Sequence, residues 1–289
     1  MTEGPNLSLP LAVGGGGWRQ RLKLALGYVL ATLLPGRVRQ IREGKAQEPF
    51  THADRVIIAA MVHRATRRGE SLDHLAYLHR NMWQNDSVTG YHAAVEDRFT
   101  NWFLPHHAVV IDALEQNLAS LPPGRFQTLC EIGTGSGVTL DYLQRRLATR
   151  GITTCIGLDL SAAQVQVDAA RFPACRFVAG DATTWIPANA NPGWIIFCCG
   201  GVLEYFPRAT LERLFADTAA RCAPVRWVIV EPLDLAHDLS SDTTSRLFGF
   251  ETTWSHPYPH VVRHAGLTVY YQRELRFDGL RWQLMVAGN

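Results

Sequence analysis

Lysine is almost missing from this chain of 289 residues: two lysines stand beside 26 arginines. The arginines are scattered as singles and pairs, and the net charge is only +2. That pattern argues against a nucleic-acid substrate, which calls for a dense basic stripe interleaved with aromatics. The charge is uneven all the same, with 12 Lys/Arg against 6 Asp/Glu in residues 1–80 and 16 against 20 in residues 81–289. Solvated helix faces account for most of that excess, and a surface meeting phosphate or anionic lipid is the alternative.

None of the six cysteines forms a C-x-x-C pair, which removes the usual zinc and dithiol spacings. Five of them fall in or beside apolar runs that read as buried strands, where a thiol behaves as a small hydrophobe. A reducing cytoplasm is the expected compartment. No metal is expected, since His106-His107 stands alone at a helix start.

Long apolar runs are lacking too. In WRQRLKLALGYVLATLL, residues 18–34, the apolar part from Leu24 to Leu34 is too short to span a bilayer. It starts late for a signal peptide and its apolar residues continue past the loosely site-like Val29-Leu30-Ala31. An amphipathic helix covering the rest of the protein is the expectation, with peripheral membrane contact by residues 18–34 as the second reading.

With 47 % apolar residues the chain has enough to bury a large core without staples. Residues 1–17 hold a tetraglycine and two prolines and read as a flexible lead-in. Residues 18–124 read as all helical. Thr51 and Asp54 form a capping box that opens a helix to about Arg68, and a second helix is expected from Ser71 to Trp83. NDSVTG at 85–90 has turn composition, the aromatic segment after it is helical in period, and a helix from His106 to Ser120 stops at Pro122-Pro123-Gly124.

From Thr128 the pattern changes to short apolar runs alternating with helical segments: TLCEI, TTCIGLDL, CRFVA, WIIFCC and RWVIVE. Strands alternating with helices imply right-handed crossovers and a parallel sheet covered on both faces. LTVYYQREL and LRWQLMVA, separated by the turn-like RFDG, add an antiparallel hairpin. Residues 125–289 are thus expected to form one α/β domain under a helical cap.

The most informative stretch is EIGTGSG, Glu131 to Gly137, between the first strand and a helix. Glycines let the chain turn sharply and let a ligand lie on bare backbone at a helix N-terminus, although a tight turn alone would also use them. The G-x-G-x-G spacing differs from the dinucleotide fingerprint and lacks the G-K-[ST] ending of a phosphate loop. Asp159 ends the second strand, where a carboxylate can accept both hydroxyls of a ribose or cap the strand end. Asp181, in GDA after the third strand, can accept a proton from an adenine amine, or cap a helix, or both.

Taken together, EIGTGSG, GLDLS, GDA and GGVLEYFP resemble the S-adenosylmethionine (SAM) binding motifs of class I methyltransferases, over Thr128 to Gly288. The resemblance implies a seven-stranded, Rossmann-like, mostly parallel sheet whose last strand inserts antiparallel beside the fifth. It implies that Glu131 with Gly133, Thr134, Gly135 and Gly137 holds the methionine part. It places the ribose at Asp159 and Leu160, the adenine at Asp181 and Ala182, and Gly200 beside the cofactor.

The default reaction is then in-line methyl transfer to a small-molecule acceptor, through an O, N or C atom left undetermined, in secondary or cell-surface metabolism. CCGGVLEYF lacks the [DN]-P-P-[YF] of adenine and glutamine amine methylators. His256, in the aromatic turn-rich TWSHPYPH, is the preferred base, with Glu204 and Tyr258 as further catalytic candidates. Tyr91, His92, Tyr205 and His260 are the expected substrate residues. An aminopropyltransferase or cyclase on the same fold, or a non-catalytic scaffold that keeps it, are the alternatives. The oligomeric state is not readable from the sequence.

Overall fold

The computed structural model describes residues 18–43, 51–68, 70, 72–84, 88–249, 252–277 and 279–289. The expected lead-in at 1–17 and parts of two expected turns, at 85–87 and 278, lie outside them.

Five helices open the described chain: α1 (Trp18–Leu33), α2 (Pro35–Arg42), α3 (His52–Arg68), α4 (Asp73–Trp83) and α5 (Val88–Ala94). The capping box at the start of α3 is formed as read: Asp54 N donates to Thr51 Oγ1, and Thr51 N donates to Asp54 Oδ2. Arg37 of α2 adds two hydrogen bonds to the same carboxylate, which holds the Asp54 pKa down at about 2. Residues 88–90, expected in a turn, are helical instead. The helix expected from His106 is split into a π-helical stretch, Phe99–His107, and α6 (Val109–Ala119). Pro105 lies inside the wide turns, and Ala108 N reaches back to Phe103 O.

The sheet follows the expected alternation. Its strands are β1 (Thr128–Ile132), β2 (Thr154–Asp159), β3 (Arg176–Ala179), β4 (Trp194–Cys199), β5 (Val225–Leu233), β8 (Thr268–Phe277) and β9 (Leu280–Gly288). The order is β3-β2-β1-β4-β5-β9-β8. The first five strands are parallel, and β9 pairs antiparallel to both β5 and β8. Helices α7 (Val138–Leu147), α8 (Ala162–Arg171), α9 (Ala182–Asn189) and α10 (Arg208–Arg221) make the crossovers, and α11 (Tyr258–His264) precedes the hairpin.

Alternating side chains divide the core between the two faces. Ile195 and Phe197 of β4 join Leu129, Val228 and Leu284 on one face, while Ile196 and Cys198 join Cys130, Trp227 and Met285 on the other.

A second, two-stranded sheet, β6 (Arg246–Phe248) with β7 (Thr253–Ser255), was not expected. Of the segment read as a turn-rich loop, Thr253 to Ser255 form β7 and Tyr258 to His260 start α11. This small sheet docks the cap: Trp254 and Leu247 pack with Ile41, Ile57, Val62, Leu75 and Leu78 of the N-terminal helices. Among the described residues, no helix is long and apolar enough to cross a membrane.

Candidate active site

The glycine turn leaves the carboxyl edge of the sheet at β1. Gly133 and Gly135 have φ of +67° and +54°, a region costly for any residue with a Cβ. Their neighbours enforce the choice. A Cβ on Gly133 would stand 2.6 Å from Val202 Cγ2, and one on Gly135 would stand 3.0 Å from His92 Nδ1. The turn is tied to β2 by Gly133 N donating to Leu158 O at 2.7 Å and by Gly135 N donating to Asp159 Oδ2 at 3.1 Å.

Asp159 is therefore part of the turn as well as the end of β2. Its other oxygen accepts from Ser161 N at 3.0 Å, and Ser161 caps α8 through Gln164 N. Burial pushes the Asp159 pKa up, against these two N–H donors and the nearby His92. Glu131, directly before the turn, is buried and accepts from Thr134 Oγ1 at 3.1 Å; burial pushes it well above the usual carboxylate range. A third acid, Asp168 of α8, was not singled out from the sequence. It is fully buried, accepts from Gln164 Nε2, and is pushed up to about 7 by burial, with the Asp159 charge adding to the shift.

Asp181 plays the capping role read as one of its two options. Its Oδ1 accepts from Thr183 N at 2.8 Å at the start of α9, beside the buried Ala182. Its Oδ2 pairs with Arg80 of α4 at 2.9 Å. Leu160 is half-buried behind Asp159, and Gly200, after β4, is exposed with open space where a side chain would start.

Over the turn lies the α4–α5 segment. The His92 imidazole covers Gly135, and Trp83 stacks on it with centroids 5.9 Å apart and planes 26° apart. Tyr91 and Tyr205 meet Trp83 edge-on, each at 5.6 Å, and His79 meets Tyr205 at 5.0 Å. Burial lowers the His92 pKa although Asp159 pulls it the other way, and its Nε2 is buried with no hydrogen-bond partner among the described residues. Two ion pairs fasten the segment at either side: Arg80 to Asp181, and Glu96 to Arg171 of α8 in a bidentate pair at 2.6 and 2.7 Å.

Three of the four expected substrate residues, Tyr91, His92 and Tyr205, thus share one aromatic cluster. Trp83 and His79, missed from the sequence, complete it. Nothing in α4 taken alone distinguishes them from the packing aromatics of any amphipathic helix. His260 lies elsewhere, on α11 against His264 at 6.3 Å.

The expected base, His256, has both ring nitrogens engaged. His256 is fully buried, with Nε2 3.0 Å from Phe206 O and Nδ1 2.7 Å from Ser245 Oγ. A carbonyl only accepts, so Nε2 carries the proton and Nδ1 accepts from the serine. Both nitrogens are engaged in holding loops together, and burial drops the pKa to about 3. Tyr258 is also fully buried, beside the Glu231 carboxylate, and both burial and that charge push its pKa up.

Glu204 is half-buried and accepts from Thr253 Oγ1 at 2.7 Å. The loop carrying Glu204 and Tyr205 is anchored by Glu231 of β5, whose carboxylate accepts from the backbone N–H groups of Val202, Leu203 and Glu204 at 3.1 to 3.3 Å. Glu231 is a structural anchor, pushed up to about 7 by burial.

Every feature of this turn lies at the carboxyl edge of a doubly wound sheet with the order and single antiparallel insertion given above. Residues 129–224 match a family model described as a methyltransferase domain. Over those residues the chain is similar to a methyltransferase domain.

Among solved structures, the chain is similar to a TehB-like SAM-dependent methyltransferase from Corynebacterium glutamicum: 17 % identity, 71 % of this chain and 100 % of that one, TM-score 0.49. It is also similar to the Burkholderia thailandensis 1,6-didemethyltoxoflavin-N1-methyltransferase, at 18 % identity over 71 % of this chain and 87 % of that one, TM-score 0.46. A third is an amino pentose methyltransferase of calicheamicin biosynthesis from Micromonospora echinaspora, at 19 % identity over 69 % and 96 %, TM-score 0.45. No curated protein matches the chain.

Proposed function

We propose that this protein methylates a small apolar or aromatic molecule, using SAM held by the glycine turn and the acids around it. The observation that carries the reading is the hydrogen bond from Gly135 N to Asp159 Oδ2, which joins the turn and the ribose-type acid into one wall. Glu131, Asp159 and Asp168 are buried around that wall with their pKa values raised, so a cationic ligand is favoured there. SAM supplies, when bound, a sulfonium methyl open to in-line displacement.

The chain's own residues divide the work. Glu131, Thr134 and the turn from Gly133 to Gly137 hold the methionine end, Asp159 and Leu160 the ribose, and Asp181 with Ala182 the adenine, next to Gly200. The His92 ring covers Gly135 in this structure, so α4–α5 acts as a lid that lifts to admit the cofactor and closes with Trp83, Tyr91, His92 and Tyr205 around the acceptor. Aromatic walls exclude water and suit an apolar body. Of the three expected catalytic residues, Glu204 alone remains in reach of this cluster through its neighbour Tyr205, as the acceptor of a substrate proton where one has to leave.

Incubation with SAM and a panel of small aromatic hydroxyls and amines, followed by mass spectrometry, tests the proposal. S-adenosylhomocysteine and a product heavier by one methyl group are expected with the wild type and not with Asp159→Ala. Consumption of SAM without S-adenosylhomocysteine would point to an aminopropyltransferase or cyclase. Binding with no turnover over the whole panel would favour the scaffold reading, which the His92 cover supports.

A further inference from the structure

Helix α1 presents an apolar stripe that the fold leaves uncovered. Trp18, Leu22, Leu26, Val29 and Leu33 recur at intervals of three or four, which places them on one face, and each is between 49 % and 70 % exposed. The opposite face is firmly seated. A Cβ on Gly27 would stand 2.1 Å from Val56 O of α3, and Leu30 and Ala31 pack into the cap core. The helix is therefore held in place with its apolar side outward, and five large side chains in a row exceed the scattered exposure ordinary for a surface.

The border of the stripe is cationic. Arg21, exposed, borders it on one side, and α2 adds Arg39 and Arg42, both exposed, while Lys23 is half-buried beside Arg55 on the seated side. Of the bases on α1 and α2, Arg21, Arg39 and Arg42 are exposed, while Arg37 is paired with Asp54. Along the Tyr28 and Thr32 side of α1 opens a cavity of about 740 Å³ that is also lined by Arg42, Arg64 and Arg68, with Glu70 as its carboxylate. An apolar ridge beside cations, next to a basic hollow, matches the layering of an anionic bilayer surface: acyl chains below, phosphates beside.

We propose that α1 docks the protein on the surface of a membrane rich in anionic phospholipid. The stripe enters the boundary between headgroups and acyl chains, Arg21 meets phosphate at its edge, and the cavity between α1, α2 and α3 takes one headgroup. A protein partner would call for a polar rim of mixed sign, and a second copy of this basic surface would be repelled by the first. The inference stands apart from the methyl-transfer reading, because it uses no residue of the glycine turn.

Vesicle co-sedimentation of the full chain tests it, with phosphatidylglycerol-containing vesicles, pure phosphatidylcholine vesicles, and each again at high salt. The wild type is expected to sediment with the anionic vesicles at low salt and to be released several-fold by high salt. Leu22→Glu with Val29→Glu, at exposed positions whose helicity circular dichroism verifies, should cut binding about tenfold. Arg21→Gln with Arg42→Gln should weaken binding to anionic vesicles only. A wild type left in the supernatant at low salt overturns the proposal. So does equal sedimentation of the Leu22/Val29 variant, or a light-scattering dimer that this variant splits while vesicles bind neither protein.

Discussion

The imidazole of His92 rests on Gly135, with Nδ1 3.0 Å from the point where a Cβ on that glycine would stand. The same glycine donates its N–H to Asp159, so one residue meets the lid on one side and the acid on the other. Gly135→Ala strains the backbone at φ +54° and drives a methyl into the ring. A loss of about 1–3 kcal/mol in stability is expected, read by chemical denaturation. SAM binding should fall with it, and adding His92→Ala should relieve the clash but leave the backbone strain in place.

The lid is clamped by Arg80–Asp181 and Glu96–Arg171, both partly exposed. Such pairs contribute about 0–1 kcal/mol each, so breaking one changes the lid equilibrium by no more than about fivefold. Glu96→Ala should raise hydrogen exchange in α4–α5 and tighten SAM binding by about two- to fivefold, because less is spent opening the lid. Weaker SAM binding by that variant would mean that the closed lid helps to hold the cofactor.

His256 makes the sign of one pH effect definite. Its folded pKa, about 3, lies below the ordinary value of 6.5, so the folded state favours the neutral ring. Stability is complete above pH 6.5 and declines as pH falls toward 3, by about 3–5 kcal/mol in all for this buried group. Glu231, pushed up to about 7, acts with the opposite sign and costs stability as pH rises from about 4.5 to 7. The comparison is therefore wild type against His256→Gln: denaturation midpoints should converge as the pH falls. Turnover tells the rest, since loss of a general base lowers the rate by about 10²–10⁴ and loss of a loop anchor at a distance does not. A fall of under about tenfold is expected for His256→Gln.

Glu231→Gln keeps the size of the side chain and removes the charge that three backbone N–H groups share. Stability should drop by about 1–3 kcal/mol, and the loop from Val202 to Tyr205 should become protease-sensitive. Because Val202 packs against Gly133, SAM affinity should fall as well.

Where the sequence was legible, local chemistry and global fold agreed. The strands at Thr128 and Thr154 are short apolar runs between glycine or polar breaks, and both formed with the helices after them in the expected places. The Thr51–Asp54 box formed because its two side chains satisfy N–H groups that the helix itself leaves open. Glu131, Asp159 and Asp181 stand at or just after the ends of β1, β2 and β3, where the apolar runs placed them. The aromatic lid was not readable in that way. Trp83 and His92 meet only through tertiary packing, and their spacing looks like that of a helix burying its face anywhere. The burial of His256 was hidden for a related reason: a histidine among turn residues looks solvent-facing until β6 and β7, too short to leave a periodic signal, enclose it.

The central claim is that the glycine turn and Asp159 form one cofactor wall, and titration calorimetry with SAM on the wild type and Asp159→Ala tests it most directly. Binding in the micromolar range is predicted for the wild type, with a loss of at least about tenfold, or about 1.4 kcal/mol, in a variant that circular dichroism shows to be folded. No heat of binding from intact wild type, or the same affinity in both proteins, would contradict the account.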